Sequence, residues 1–288
     1  MGAQDLCNDS RCDRNRKGEK HPAHDISPIR QKKFESLQSL IGAGSDIAGA
    51  AIGAAAGAAL GGLPGGIAGA AAGAAISNVL KNIGTDISER ILSPREKVRI
   101  GAALGFAINK VQENITNGHK LRDDDFFDDK PSGRAASKEI VEGVLLAAQR
   151  EYEEKKTRYY GNLLANIAFS KGVSRAHADL LIKLSQSLSY RQLCLLSIFG
   201  QRDRFTLRQN DYRDTSNFFL EKVSLLQEIF DLTTRGLIMK EPGNVMLGHT
   251  EIVPARMKPE GEGETLFKLM VLKEMDGQDL QGIVQMLR

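Results

Sequence analysis

Residues Ile47–Leu80 read IAGAAIGAAAGAALGGLPGGIAGAAAGAAISNVL, 34 residues without a charged side chain. Fourteen are alanine, nine are glycine and eight are large aliphatics. Seven glycines recur at every fourth position: Gly49, Gly53, Gly57, Gly61, Gly65, Gly69 and Gly73. Glycine weakens a water-exposed helix by about 1 kcal/mol relative to alanine. A glycine stripe therefore makes sense where another backbone packs very close to it. The pattern reads as a glycine zipper, and it makes the chain helical.

The geometry of the stripe favours two arms. A step of four residues advances about 400°, so one unbroken helix would carry the stripe much of the way round its axis. Splitting the helix at GGLPGG (Gly61 to Gly66) keeps each stripe on one side, and Pro64 between glycine pairs is a strong turn signal. The spacing predicts a helical hairpin with arms near 47–60 and 67–80. Each arm measures about 21 Å, against a hydrocarbon core of about 30 Å. Alanine and glycine also give a weak drive for insertion. No tryptophan occurs, and Phe34 and Phe106 are the nearest aromatics, so no aromatic belt marks an interface. These features predict a conditional membrane element, sheltered until triggered. Basic flanks (Arg30, Lys32, Lys33; Lys81, Arg90, Arg95) would hold both ends on the cytoplasmic side. A tightly packed soluble helix pair and an unordered low-complexity segment stay open as alternatives.

Around the hairpin, signals for helices dominate. Residues 1–26 read as a polar tail without an apolar signal region. Ser27 and Pro28 open a helix with Ile29, Phe34, Leu37, Leu40 and Ile41 on one face. Ser93-Pro94-Arg95-Glu96 is a capping box, and Val98, Gly101, Gly105, Ile108, Val111 and Ile115 line the helix that Asn117-Gly118 stops. Ile140, Val141, Val144, Leu145 and Ala148 begin a long amphipathic pattern running on through Tyr159, Leu163, Leu164 and Ile167. Glu151, Glu153, Glu154, Lys155 and Lys156 fall inside it and read as an exposed charged face. Ser174 caps a helix with Leu180, Leu181, Leu184 and Leu188, and Ser189 to Gln192 form a second capping box. Further helices are expected over 216–238, stopped at Gly236, and over 264–273 and 277–287, with a short β-ribbon within 241–263.

The chain has 288 residues, 41% of them apolar and 26% charged, with a net charge of +3. That length suits one or two domains, and so balanced a charge argues against nucleic-acid binding through bulk electrostatics. No phosphate loop, nucleophile elbow or HExxH helix occurs, and the five histidines are dispersed, so no enzyme class is indicated. Cys7, Cys12, His21 and His24 are chemically competent zinc ligands. Their C-x4-C-x8-H-x2-H spacing misses the finger pattern and lacks a local apolar core, so a solvated tail is the simpler reading. Asp123, Asp124, Asp125, Asp128 and Asp129 lack the spacing of a calcium loop and read as a solvated loop. Gly2 invites a myristoylation reading, but Leu6 stands where serine or threonine is needed. Cys194 lies among leucines as a small buried hydrophobe.

From Ser189 to Leu272, a leucine-rich helix, a second helix and a β-ribbon follow the order of a winged helix. Arg202, Arg204, Arg208, Arg213 and Arg235 would be its phosphate contacts, although Glu221, Glu228 and Asp231 place acid on the recognition helix.

The run YYGNLLANIAFSKGVSRAHADLLIKLSQSLSYRQLCLLSIF (Tyr159 to Phe199) resembles the Abi-alpha family of bacterial abortive-infection proteins. The resemblance rests on Leu163, Leu164, Ala165 and Ala168, then His177, then Leu188 and Ser189. ILSPREKVRIGAALG (Ile91 to Gly105) is similar to the family's "LLSP" opening. The glycine zipper is an addition to that pattern. The resemblance implies phage defence by killing or arresting the infected cell, and it carries over no catalytic residue.

The resulting expectation is an all-α chain: a polar tail (1–26), a helix and glycine-zipper hairpin (27–92), a helical module (93–188) and a winged-helix-like module (189–288). It would be a membrane-acting, pore-forming or membrane-disrupting effector without cofactor or catalytic residue. Its partners would be lipid, further copies of itself and a restraining or triggering protein, at the cytoplasmic side of the inner membrane. The alternative is a soluble regulatory or docking protein.

Overall fold

The computed structural model describes residues 28–62, 70–129, 133–215, 219–242 and 246–288. Those residues form a helical protein with one two-stranded ribbon. The first part comprises α1 (Pro28–Ala43), α2 (Ser45–Ala48), α3 (Ala50–Gly62), α4 (Ala70–Ser88) and α5 (Pro94–Thr116). The second comprises α6 (Ala136–Arg150), α7 (Thr157–Ile167), α8 (Arg175–Ser187), α9 (Tyr190–Gly200) and α10 (Leu220–Thr234). The ribbon strands β1 (Ile238–Lys240) and β2 (Met257–Pro259) pair antiparallel, with Ile238 opposite Pro259, and α11 (Glu262–Leu269) and α12 (Gly277–Met286) close the chain.

α5 is the central rod, and its start and stop are set locally. The Ser93 side chain accepts from the Glu96 N–H while the Glu96 carboxylate accepts from the Ser93 N–H at 2.7 Å. Asn117 caps its end and Gly118 leaves it at φ +79°. Around it pack α1, α2, α3, α6 and α7. Leu37, Leu40 and Ile41 of α1, Ile100, Leu104 and Ala107 of α5, and Val144, Leu163 and Leu164 of α6 and α7 are all buried in one continuous cluster. That cluster runs on through Leu225 and Ile229 of α10 to Leu280 of α12, across the boundaries expected at 93 and 189.

Glycine lets the rod and its neighbours touch through bare backbone. A Cβ added at Gly101 would collide with the Leu40 carbonyl oxygen and lie 2.9 Å from the Gly44 nitrogen. One added at Gly161 of α7 would lie 2.6 Å from the Phe106 Cβ.

Two sequence expectations need correction. The amphipathic pattern from Ile140 to Ile167 is two helices, because the chain turns between Glu151 and Lys156. Its charged residues are also not all exposed: Glu151 and Lys156 are buried, at 7% and 1% of full exposure. The Lys156 ammonium pairs with Glu151 at 2.5 Å and donates to the Leu188 carbonyl, while the Tyr160 hydroxyl donates to Glu151 at 2.8 Å. A buried charge is tolerated when paired and hydrogen-bonded in this way. The pair pins the bend to the end of α8. On α8, Leu180 faces outward while Leu181 is buried.

The ribbon lies where β1 leads out of the α10 stop at Gly236 (φ +69°), so the strands begin just before the 241–263 stretch.

Candidate functional site: the uncharged segment and the cleft beside it

The uncharged segment is helical on both sides of its expected turn. Pro64, Gly65 and Gly69 lie outside the described residues; Gly61 falls in the last turn of α3 and Gly73 in α4. Among the described residues the two arms rest on the helical body rather than chiefly on one another, α3 against α5 and α1, α4 against α6 and α1. The physical reason is area: the leucines and isoleucines of the body offer more apolar surface than an arm of alanine and glycine.

The zipper positions therefore differ in role. Gly49 stands between α2 and α3 at φ +80°, ψ 149°, a backbone conformation that essentially only glycine adopts. Gly53 is buried, and a Cβ there would lie 3.5 Å from that of Ser45. Around Gly49 and Gly57 a Cβ would meet nothing within 4 Å among the described residues. The glycine that receives α3 is on α5: a Cβ at Gly105 would lie 3.5 Å from Ile52 and 4.0 Å from the Ala56 Cβ. Gly101 and Gly105, noted in the sequence only as part of an apolar face, thus form the GxxxG step on which α1 and α3 sit.

Seated this way, α3 buries Gly53 and Ala56 and exposes Ala50, Ala51, Ala54 and Ala55. Its outer face has no charge and no hydrogen-bonding side chain. No helix among the described residues is long and apolar enough to cross a membrane.

Beside α3 opens a cleft of about 690 Å³. It is lined by the apolar Ile47, Ala48 and Ile52, by Phe106, Lys110 and Glu113 of α5, and by Lys155, Arg158, Tyr159, Tyr190, Glu274 and Asp279. Its cations are matched within the chain. Lys155 bonds to Asp279 at 2.5 Å, Lys110 to Glu113 at 2.7 Å, and Arg158 lies 3.6 Å from Glu274. Burial alone pushes the Asp279 carboxyl up, but bonds from Lys155 and from the Tyr190 hydroxyl outweigh it and leave the group below the ordinary carboxylate value. Among the described residues neither a histidine nor a cysteine lines the cleft.

The other expected sites resolve as follows. Cys7, Cys12, His21 and His24 lie outside the described residues. In the acidic loop, Asp123 pairs with Lys171, Asp124 with Arg122 and Asp129 with Lys138. The loop is therefore salt-bridged rather than simply solvated, and buried Arg122 anchors it by donating to the Val173 carbonyl at 2.8 Å and stacking 4.1 Å from the Phe126 ring. Among the described residues no group of three or more His, Cys, Asp or Glu is arranged to hold a metal ion. Cys194 is buried, which pushes its thiol up to about 12.

The five arginines expected at phosphates all donate to groups of this chain. Arg202 pairs with Glu241, Arg213 with Glu251, Arg235 bonds to Ser187, Arg204 to Gln201, and Arg208 to the Asn210 and Asp211 carbonyls. On α10, Glu228 is bonded by Arg191 and Asp231 by Gln192.

Comparison with protein-family models, with curated proteins and with solved structures returns no match to this chain.

Proposed function

We propose that the protein is a membrane-acting effector whose uncharged segment, assembled with that of other copies, disrupts the bilayer at the cytoplasmic side of the inner membrane. The observation that carries the reading is α3 itself: its outward face is Ala50, Ala51, Ala54 and Ala55, all exposed and none charged. A surface helix of a water-soluble protein normally turns charged and polar side chains outward. Among the described residues, the open space around Gly57 offers a bare position for a second helix. A role in abortive infection draws support from the resemblance of residues 91–105 and 159–199 alone. The alternative, a soluble regulatory or docking protein, draws on the order of α9, α10 and the β1–β2 ribbon. The engaged arginines leave its nucleic-acid form without its expected phosphate contacts.

Dye release from anionic liposomes tests the proposal. The wild-type chain is expected to release dye, and Ala51→Glu with Ala55→Glu to reduce release at least tenfold. Both positions are exposed, so the folded body stays intact. Equal release from both chains, or none from wild type together with a wholly soluble fractionation, overturns the membrane reading.

A further inference from the structure

We infer that the fold holds the first arm of the uncharged segment, residues 47–62, in a closed, seated form and that Gly49 is the joint at which it opens; this rests on the membrane reading above. Between Ser45 and Gly62 the only residue outside helical geometry is Gly49. Its N–H still bonds to the Ser45 carbonyl at 2.9 Å and its own carbonyl accepts from Gly53 at 3.1 Å, so helix is poised on both sides. Were Gly49 to become helical, residues 45–62 would form one helix, of which the uncharged part, 47–62, spans about 24 Å, against the roughly 30 Å of a hydrocarbon core. α3 alone spans about 20 Å.

The seating on α5 forbids that straight form. Gly44 touches α5 at Gly101 and Ala102, and Ile52 and Ala56 touch it at Gly105. In a straight helix Gly44 and Ala56 would stand about 18 Å apart, whereas Gly101 and Gly105 are separated by about 6 Å along α5. The chain must bend between its two contacts, and it does so at Gly49. Straightening the joint and leaving α5 are therefore one event. That event also frees Ile52, the large aliphatic side chain that α3 turns toward Gly105.

Two variants test this with the full chain on anionic liposomes. In a Cys7→Ser, Cys12→Ser background, Ala56→Cys with Gly105→Cys places the two Cβ atoms 4.0 Å apart, inside the roughly 3.5–4.5 Å a disulfide spans. The oxidised chain is expected to release dye at least tenfold more slowly than the same sample after reduction, so each molecule is its own folding control. Gly49→Ala, which disfavours the joint and favours helix, is expected to raise release by about tenfold. Equal release before and after reduction, no gain from Gly49→Ala, or failure of the cysteine pair to join overturns the closed form while the membrane reading stands. Absence of release from the reduced chain and from wild type removes the membrane reading and this inference with it.

Discussion

At the scale of single residues, the bend between α6 and α7 depends on a charge taken out of water. Lys156 has one carboxylate partner, Glu151, and one carbonyl partner, Leu188. Burial and the neighbouring Glu151 charge also push the Tyr160 phenol far above its ordinary value, so it stays a hydrogen-bond donor. Lys156→Met leaves Glu151 buried without its counterion and is expected to cost about 3–5 kcal/mol, measured by urea denaturation. Adding Glu151→Leu should recover much of that loss, since an apolar pair of similar volume is often neutral. A double variant as unstable as the single one would show that the pair does not act through charge. The sequence concealed this arrangement because EYEEKKT has the composition of a solvated helical face. Only the contact with Leu188, 32 residues later, gives the lysine a place to go. Arg122 was hidden for the same reason, since its partners Ile167 and Val173 are distant in sequence.

At the scale of elements, much was legible because the signals are local. The Ser93–Glu96 and Ser189–Gln192 boxes, the Ser174 cap and the stops at Gly118 and Gly236 all stand where side-chain chemistry places them. The partner of each element was not legible. A glycine repeat states that something comes close, not what, and Gly101 with Gly105 received α1 and α3 where a second zipper arm was expected. The α5 cap gives a prediction of its own. Hydrogen bonds from Gln149 and then Ser93 hold the Glu96 carboxyl down from 4.5 to about 2. A group that binds fewer protons folded than unfolded stabilises fully above its unfolded value and fades as pH falls toward its folded one. The wild type should therefore exceed Glu96→Gln in thermal midpoint at pH 6 and lose that advantage between about pH 4.5 and 2. A constant gap across this range would remove the charge from the cap.

At the scale of the whole molecule, one core joins regions that the sequence divides. Asn162 of α7 donates to the Met270 carbonyl and Asn166 to that of Leu269, and His177 of α8 meets Glu262 of α11 at 2.7 Å. Cys194 sits within this core, and burial pushes its thiol up to about 12. In a Cys7→Ser, Cys12→Ser chain it should resist a thiol-specific dye until the denaturant concentration at which helical signal is lost. Labelling well before that point would mean that the C-terminal helices part from the rest first.

The bare contact between Gly44 and Gly101 has a consequence for how any signal must work. Two backbones that meet without side chains between them have no looser version of the same fit, because a gap of even half an ångström forfeits much of the dispersion attraction. Such a junction is expected to part in one step, a two-state separation that hydrogen exchange of α1 would report. A stimulus acting on it would alter how many molecules have let go, not how far each one has loosened.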